Sequence, residues 1–272
     1  MFRDTYGPWC VIAGGSDGIG AAFAEEVAAR GLNVVLIARR KETLAETADK
    51  VRRAHPSIEV RSLSVDLSKQ DAPKTIKDAT KDLEVGLFIY NVGSETQCGY
   101  FLDKPLQQWQ GRLQRNFVSK AELLHHFGLQ MRGRKRGGIV LMGSVSGYMG
   151  GAGFALYAGS KAFTHMFAEA LWYEMREDNI NVICTIVGPT DTPSMNDAYG
   201  KQEGHLTDPA YAASGTLDRL KDGPIWVADD ITEFVDSFIK MTPRERSIAG
   251  SEFCANYVKG GGKLASVTEK TP

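Results

Sequence analysis

The sequence alternates between short runs rich in Val and Ile and longer amphipathic segments, and this alternation limits the possible fold more than any other feature. Seven short runs have the composition of strands: Trp9–Ala13, Asn33–Ala38, Ile58–Val65, Val85–Tyr90, Gly138–Met142, Asn181–Val187 and Ser247–Ala249. Helical patterns lie between them, at about 19–30, 41–55, 69–83, 105–131, 157–178 and 228–241. Apolar strands separated by helices form a parallel sheet that is covered on both faces. The pattern predicts an α/β fold with a doubly wound, seven-stranded parallel sheet.

The chain is predicted to form one domain over residues 1–272, because no repeat and no shift in composition marks a boundary. One α/β domain commonly holds about 200–250 residues. Residues 193–225 contain several Gly and Pro but no long strand or helix pattern, which is typical of a binding loop or lid. The tail at about 259–272 contains three consecutive glycines and is predicted to be a flexible end.

The charge of the chain is almost balanced, with 32 Lys and Arg against 33 Asp and Glu, which argues against a nucleic-acid partner. The basic stretch at 132–136 follows a helical pattern and is interpreted as a solvated helix end.

The four cysteines lack the spacing of metal ligands, so no metal site is predicted and free thiols in a reducing compartment are expected. No apolar run approaches about 18 residues, so no membrane span is predicted and a cytoplasmic location is expected.

A glycine-rich turn follows the first predicted strand, and a helical pattern follows the turn directly. The turn reads Ala13, Gly14, Gly15, Ser16, Asp17, Gly18, Ile19 and Gly20. Gly14, Gly18 and Gly20 let the backbone turn tightly, approach a diphosphate and pack the helix on the sheet. Backbone N–H groups at a helix N-terminus favour phosphates. The turn therefore predicts a dinucleotide site whose members are Gly14, Ser16, Asp17, Gly18, Ile19 and Gly20.

The end of the second predicted strand determines which cofactor is expected. An acidic residue there would bind the ribose hydroxyls of NAD, but the chain has Ala38, Arg39 and Arg40. Ala38 leaves room for a 2′-phosphate and Arg39 can pair with it, so NADP(H) is preferred and NAD(H) is the alternative. A surface pair of arginines that caps a helix is the other interpretation, and Asp17 in the glycine turn opposes a nearby phosphate.

Two Tyr-x-x-x-Lys patterns occur, Tyr100 with Lys104 and Tyr157 with Lys161. Residues four apart are neighbours on a helix, and an ammonium beside a phenol lowers the phenol pKa from its usual value of about 10. Pro105 disfavours helical backbone at Lys104, so the first pattern fails this test. Tyr157 opens a long helical pattern, and the second pattern passes.

A serine precedes the second pattern by thirteen residues. The strand Gly138–Met142 is followed by Gly143 and Ser144, which places the Ser144 hydroxyl at the C-terminal edge of the sheet. A hydroxyl there can donate a hydrogen bond to a substrate carbonyl. A Ser-rich turn would be the default interpretation without Tyr157 downstream. A nucleophilic serine is disfavoured, because no His follows in a triad-like context.

Together these residues resemble the short-chain dehydrogenase/reductase family over roughly residues 8–250, which implies a Rossmann-like single domain. The glycine turn and the Ala-Arg-Arg sequence look most like its hydroxysteroid dehydrogenase and 3-ketoacyl-CoA reductase branch. Beyond the glycine turn, the resemblance implies that the cofactor is held by Arg39, Arg40, Asp66, Leu67, Asn91, Gly93, Tyr157, Lys161, Gly188, Thr190 and Thr192.

The catalytic residues of the family correspond here to Asn116, Ser144, Tyr157 and Lys161. The resemblance implies that Tyr157 gives a proton to the carbonyl oxygen as hydride leaves the nicotinamide. It also implies that Lys161 lowers the pKa of Tyr157 and holds the nicotinamide ribose. Ser144 would orient the carbonyl, Asn116 would anchor a water-linked proton relay, and the segment at about 193–225 would be the substrate loop.

The expected function is NADP(H)-dependent interconversion of a ketone and a secondary alcohol. The expected substrate is a small, fairly apolar carbonyl compound or its alcohol, such as a steroid-like, acyl or xenobiotic compound. The resemblance also implies a homodimer or homotetramer assembled through the helices at 105–131 and 157–178. A cofactor-binding, redox-sensing regulator with little turnover is the alternative function.

Overall fold

The computed structural model describes residues 1–94, 98–200 and 206–258. At its centre lies a sheet of seven parallel strands in the order β3-β2-β1-β4-β5-β6-β7. The strands are β1 Trp9–Ala13, β2 Asn33–Ala38, β3 Val60–Ser64, β4 Val85–Tyr90, β5 Gly137–Met142, β6 Ile180–Ile186 and β7 Ile225–Val227. The strand order reverses between β1 and β4, as it does in a doubly wound sheet. The predicted α/β fold is confirmed.

Helices cover both faces of the sheet. Their bounds are α1 Phe2–Tyr6, α2 Gly18–Ala29, α3 Lys41–Ala54, α4 Ala72–Ala79, α5 Leu106–Leu113, α6 Ser119–Arg134, α7 Ala155–Glu174, α8 Pro193–Tyr199, α9 Pro209–Asp218, α10 Thr232–Lys240 and α11 Pro243–Val258. On one face α2 packs against α3 and α9, and on the other α4 packs against α6. Right-handed crossovers produce this distribution of helices.

The core lies between the sheet and these helices. Every residue of β1 and β4 is buried, so these strands need apolar side chains on both faces rather than at alternate positions. The large rings of Phe23, Phe88 and Phe127 are fully buried. The loops that follow the central strands are therefore anchored to the best-packed part of the molecule.

The seventh strand does not lie where the sequence predicted it. Ser247–Ala249 is part of α11, whereas β7 is Ile225–Val227 and pairs with β6. A segment of only three residues fits one turn of a helix as well as it fits a short strand, so periodicity cannot separate them. The indole of Trp226 in β7 is buried in the core.

Two helices lie in the segment 193–225, for which the sequence predicted no long helix or strand. Both α8 and α9 begin with a proline, Pro193 or Pro209, that follows a capping side chain, Thr192 or Asp208. A cap followed by proline is a helix-start signal. The helices that follow these caps are short, so their hydrophobic periodicity is weak.

The helix predicted at 105–131 is divided into α5 and α6. Gln114–Val118 forms a wider, π-helical turn between them, and Asn116 lies in this turn. Single turns of this kind often occur at functional sites. The stretch 132–136 ends α6 as predicted, and Arg132 and Lys135 both pair with Asp178.

The tail predicted at 259–272 lies outside the described residues. Within residues 1–94, 98–200 and 206–258, every helix is too short or too polar to cross a bilayer.

Candidate active site

A cleft of about 530 Å³ opens among the loops that follow β1, β2, β3, β4, β5 and β6. Ligands bind to doubly wound sheets at this carboxyl edge. The predicted site residues that line the cleft are Gly14, Ser16, Asp17, Gly18, Ile19, Arg39, Arg40, Asp66, Leu67, Asn91, Gly93, Ser144, Tyr157, Lys161, Gly188, Thr190 and Thr192. Gly20 and Asn116 are the predicted residues that do not line it.

The glycine turn brings the first turn of α2 to the cleft. Gly14 has a φ of +85°, which favours glycine, and its backbone N–H donates to Ile37 O at 2.7 Å. A Cβ at Gly20 would overlap Gly14 O, so α2 can pack this closely only because Gly20 has no side chain. Asn91 Nδ2 donates to Gly14 O at 3.0 Å and fixes the turn against β4. Gly20 and Asn91 therefore shape the turn.

The start of α2 fits a diphosphate group. Backbone N–H groups in the first turn of a helix lack helical acceptors and carry partial positive charge. Gly18 has a φ of +50°, and a Cβ there would lie 2.6 Å from Thr192 Cγ2. The absence of side chains at Gly14 and Gly18 leaves the backbone of the turn accessible from the cleft. The arrangement can hold the diphosphate of a dinucleotide cofactor.

Asp17 caps α2 and forms an ion pair at the mouth of the cleft. Its Oδ1 accepts from the backbone N–H of Gly18 at 2.7 Å. Its Oδ2 accepts from Arg40 Nη2 at 2.8 Å and from Ser194 Oγ at 2.7 Å. The negative charge that was expected to oppose a phosphate is therefore balanced by Arg40.

Arg39 and Asp66 lie where β2 and β3 end. The exposed Arg39 side chain makes no hydrogen bond or ion pair with a residue that the structure describes. Partial burial opposes ionisation of Asp66, but hydrogen bonds from the backbone N and Oγ of Ser68, at 3.0 and 2.8 Å, and the charge of Arg39 outweigh it and lower the pKa of Asp66. This end of the cleft therefore offers an ionised acceptor beside a guanidinium.

Tyr157 and Lys161 share one face of the first turns of α7. Lys161 Nζ lies 5.5 Å from the centre of the Tyr157 ring and donates to Met142 O at 2.9 Å. Burial, together with the nearby charge of Arg115, lowers the pKa of Lys161 to about 8 despite the opposing effect of Cys184. Tyr100 and Lys104 do not share a helical face, because Lys104 has extended backbone and its Nζ donates to Cys98 O.

Ser144 follows β5 after one residue, Gly143, and is buried where it lines the cleft. Its Oγ accepts from the backbone N–H of Ser146 at 3.2 Å, which leaves the hydroxyl proton for another acceptor. The backbone N–H of Ser144 donates to His165 Nε2 at 3.4 Å. Burial and the charges of Lys161 and Lys120 lower the pKa of His165 to about 4, so its ring stays neutral and can accept this bond.

Asn116 does not line the cleft but lies directly beside Gly93, which does. A Cβ at Gly93 would lie 3.1 Å from Asn116 Oδ1. Asn116 Nδ2 donates to Ser160 Oγ at 3.2 Å, and Asn116 Oδ1 accepts from Arg115 Nε at 3.0 Å. The amide therefore joins the π-helical turn to the helix that carries Tyr157.

Several lining residues were not predicted from the sequence. Among them are Ser94, Arg115, Ser146, Phe154, Ser194, Met195, Asp197, Ala198, Phe253 and Cys254. Phe154, Tyr199 and Cys254 form a buried apolar cluster against which Tyr157 and Phe253 pack. No motif marks the lining positions in α8 or α11, and only the prolines that begin these helices, Pro193 and Pro243, could have indicated a structured wall. Their contribution depends on how these helices fold back over the cleft.

A model of the family described as short chain dehydrogenase matches residues 8–203. A 7beta-hydroxysteroid dehydrogenase from Clostridium sardiniense is 35% identical over 224 residues, which cover 82% of this chain and 83% of that protein.

Two solved structures are similar over most of the chain. One, described under 7beta-hydroxysteroid dehydrogenase stereoselectivity, has a TM-score of 0.86 at 25% identity and covers 91% of this chain and 98% of that one. The other is a short-chain dehydrogenase from Sphingobium yanoikuyae in complex with NADPH, with a TM-score of 0.73 at 25% identity, covering 81% of this chain and 87% of that one.

Proposed function

The chain belongs to the short-chain dehydrogenase family, and we propose that it uses NADP(H) to interconvert a ketone and a secondary alcohol. The observation that carries this proposal is the meeting of Tyr157, Lys161 and Ser144 in the same cleft as the glycine turn. Reversible carbonyl reduction needs a phenol, a buried ammonium and a hydroxyl, and these groups lie beside the glycine turn that can hold a diphosphate.

Tyr157 acts as the general acid and base. In reduction its phenol gives a proton to the carbonyl oxygen, and in oxidation its phenolate takes the proton from the alcohol. Ser144 donates a hydrogen bond to the same oxygen as negative charge develops on it. A nicotinamide cofactor bound in the cleft would supply the hydride in reduction and accept it in oxidation.

Lys161 and Asn116 support this exchange. The buried ammonium of Lys161, held by Met142 O at 2.9 Å, favours the ionised form of the nearby phenol. Asn116 positions α7 through its hydrogen bond to Ser160 Oγ at 3.2 Å. Together they keep Tyr157 in a state that can both lose and regain a proton.

NADP(H) is the proposed cofactor, because no carboxylate stands at Ala38 to bind ribose hydroxyls and the Arg39 guanidinium is available for a phosphate. The similar structure from Sphingobium yanoikuyae was solved with NADPH, which supports this preference. The test is the ratio of the NADPH and NADH dissociation constants, which should favour NADPH by about tenfold or more.

The proposed substrate is a steroid-like, fairly apolar compound. Phe154, Met195 and Phe253 give the cleft apolar walls near Tyr157. The similarity to a 7beta-hydroxysteroid dehydrogenase points to the same substrate class.

Substitution Tyr157→Phe tests the proposed chemistry. Removing the phenol hydroxyl should reduce turnover of a steroid ketone by about 10²–10⁴-fold or more, because general acid catalysis is lost. The NADPH dissociation constant should change less than about threefold. Tyr100→Phe is the matched control, since Tyr100 begins the other Tyr-x-x-x-Lys pattern, and it should keep near-normal turnover.

Retention of turnover in Tyr157→Phe would contradict the assignment. If the unmodified protein binds NADPH but converts no ketone or alcohol in a broad panel, the redox-sensing regulator is the better description.

A further inference from the structure

The two arginines that follow β2 have different partners, although both were predicted to bind the cofactor. Arg40 Nη2 donates to Asp17 Oδ2 at 2.8 Å and to Ser194 Oγ at 3.3 Å. Arg39 lines the cleft, and among the described residues none accepts a hydrogen bond from its guanidinium. One guanidinium is therefore engaged by the protein itself, and the other is available to a ligand.

Asp17, Arg40 and Ser194 form a cluster, here called the clasp, that joins three separate segments. Asp17 is the N-cap of α2, Arg40 is the N-cap of α3, and Ser194 lies in the first turn of α8. The Asp17 side chain is only 15% exposed, and its Oδ2 is shared by Arg40 and Ser194 Oγ, the latter at 2.7 Å. The clasp therefore ties the start of α8 to the glycine turn and to the end of β2.

The contact between α8 and the glycine turn continues beside the clasp. A Cβ at Gly18 would lie 2.6 Å from Thr192 Cγ2, so the residue that caps α8 packs directly on the turn. Thr192, Ser194 and Met195 all line the cleft. The contacts that fix the start of α8 therefore also fix the wall of the cleft that lies above the glycine turn.

We propose that Arg40 is a positioning residue rather than a cofactor ligand: it holds the start of α8 against the glycine turn through the clasp, and the phosphate recognition proposed above falls to Arg39 alone. The proposal rests on the proposed use of a nicotinamide cofactor in this cleft. A guanidinium that already pairs with a carboxylate has fewer N–H groups to offer a phosphate, whereas Arg39 can bind one bidentately. Both cofactors contain the diphosphate, so the clasp contributes equally to the retention of each.

Three variants separate the two tasks: Arg39→Gln, Arg40→Gln and Ser194→Ala. The dissociation constants of NADPH and NADH are measured by fluorescence titration. The rate of chymotrypsin cleavage after Tyr199 is measured without cofactor, because Tyr199 is 3% exposed at the end of α8 and becomes accessible when α8 loosens. Neither readout requires turnover.

Arg39→Gln should weaken NADPH binding by about tenfold or more, leave NADH within about twofold, and leave cleavage after Tyr199 unchanged. Arg40→Gln should weaken both cofactors by a similar factor of about two to five and accelerate the cleavage, as expected for a partly exposed ion pair. Ser194→Ala should also accelerate the cleavage without changing the NADPH-to-NADH ratio.

Selective loss of NADPH affinity in Arg40→Gln, with cleavage after Tyr199 unchanged, would overturn the division of tasks. Unchanged cleavage in Ser194→Ala would likewise remove the clasp as the support of α8. If the unmodified protein binds neither NADPH nor NADH, the proposed function fails rather than the clasp.

Discussion

A single missing side chain determines how α2 meets the glycine turn. Gly20 faces Gly14 O so closely that a Cβ would overlap the carbonyl oxygen and lie 2.7 Å from Asn91 Nδ2. Neither neighbour can retreat easily, because Gly14 O accepts a hydrogen bond from Asn91. Gly20, the third of the predicted glycines, does not line the cleft and shapes the site through packing.

Gly20→Ala should therefore lower the free energy of unfolding by about 1–3 kcal/mol, the usual cost of overpacking. It should also weaken NADPH binding, because α2 must move away from the turn. Denaturant unfolding and fluorescence titration measure the two effects. Gly159→Ala is the matched control, since nothing lies within 4 Å of a Cβ there and alanine in a helix should stabilise by up to about 1 kcal/mol. Equal stability of the two variants would contradict this account of Gly20.

At the scale of elements, α6 and α7 are joined by a buried lysine. Lys120 Nζ donates to Thr164 Oγ1 at 2.5 Å, and Lys120 is 4% exposed. The rings of Tyr90 and Phe163 lie 5.6 and 5.7 Å from its ammonium. Burial, with the charge of Lys161 added, lowers the pKa of Lys120 to about 7 despite an opposing effect of Cys184. Protonation of Lys120 therefore opposes folding.

The pH dependence of stability follows from this pKa. An unfolded lysine keeps its proton up to about pH 10.4, so between about pH 7 and 10 the unfolded chain binds more protons and the free energy of unfolding rises with pH. Lys120→Met should stabilise the protein by about 1–4 kcal/mol at pH 6 and reduce this rise. Denaturant titrations at pH 6 and 9 measure both effects. The exposed Lys74 serves as control, with Lys74→Met changing stability by less than about 0.5 kcal/mol. An undiminished rise in Lys120→Met would contradict the prediction.

Helix α11 supplies an apolar wall of the cleft. Phe253 lines the cleft and packs on the cluster of Phe154, Tyr199 and Cys254. Phe253→Ala should raise KM for a steroid ketone by about tenfold or more, because apolar contact area is lost, and should leave KM for a small ketone nearly unchanged. Steady-state kinetics with both substrates provides the measurement. Ile248→Ala, at a position of α11 that is 54% exposed, should change neither value. A uniform change for both ketones would mean that Phe253 does not select substrate size.

At the scale of the whole molecule, α7 carries an apolar outer surface. Met166 and Tyr173 are two helical turns apart on one face and are 60% and 62% exposed. Exposed apolar side chains in register on a helix are a typical subunit contact. The homodimer or homotetramer expected from the sequence remains a prediction, and this face is where it should form.

Light scattering should therefore give the mass of a dimer or tetramer, and Met166→Glu should shift it toward the monomer, because a charge would be buried in the contact. Ile239→Glu is the matched control, since Ile239 is 54% exposed on α10. A monomer for the unmodified protein would contradict the expectation.

Local sequence was sufficient for much of the fold and of the candidate site. The apolar runs of β1 and β4 predicted buried parallel strands, because strands covered on both faces need apolar residues throughout. Pro105 distinguished the Tyr100 pattern from the Tyr157 pattern, because proline disfavours helical backbone at the residue before it, Lys104. Gly14 has a backbone conformation with positive φ, and a glycine-rich turn predicts such a conformation from a few neighbouring residues.

The remaining features depend on contacts between segments that are far apart in the sequence. Arg40 pairs with Asp17 and Ser194 because the ends of β2, β1 and β6 meet at one edge of the sheet. The position of β7 and the approach of Phe253 to the cleft follow from how the last third of the chain packs against β6 and α8. By itself the sequence determined the first six strands, the glycine turn and the preference for Tyr157 over Tyr100 as the tyrosine that shares a helical face with its lysine, since each is encoded within a few neighbouring residues. Only the tertiary structure decided which arginine remains available and which helices close the cleft, because pairing and burial depend on the neighbours that folding brings together.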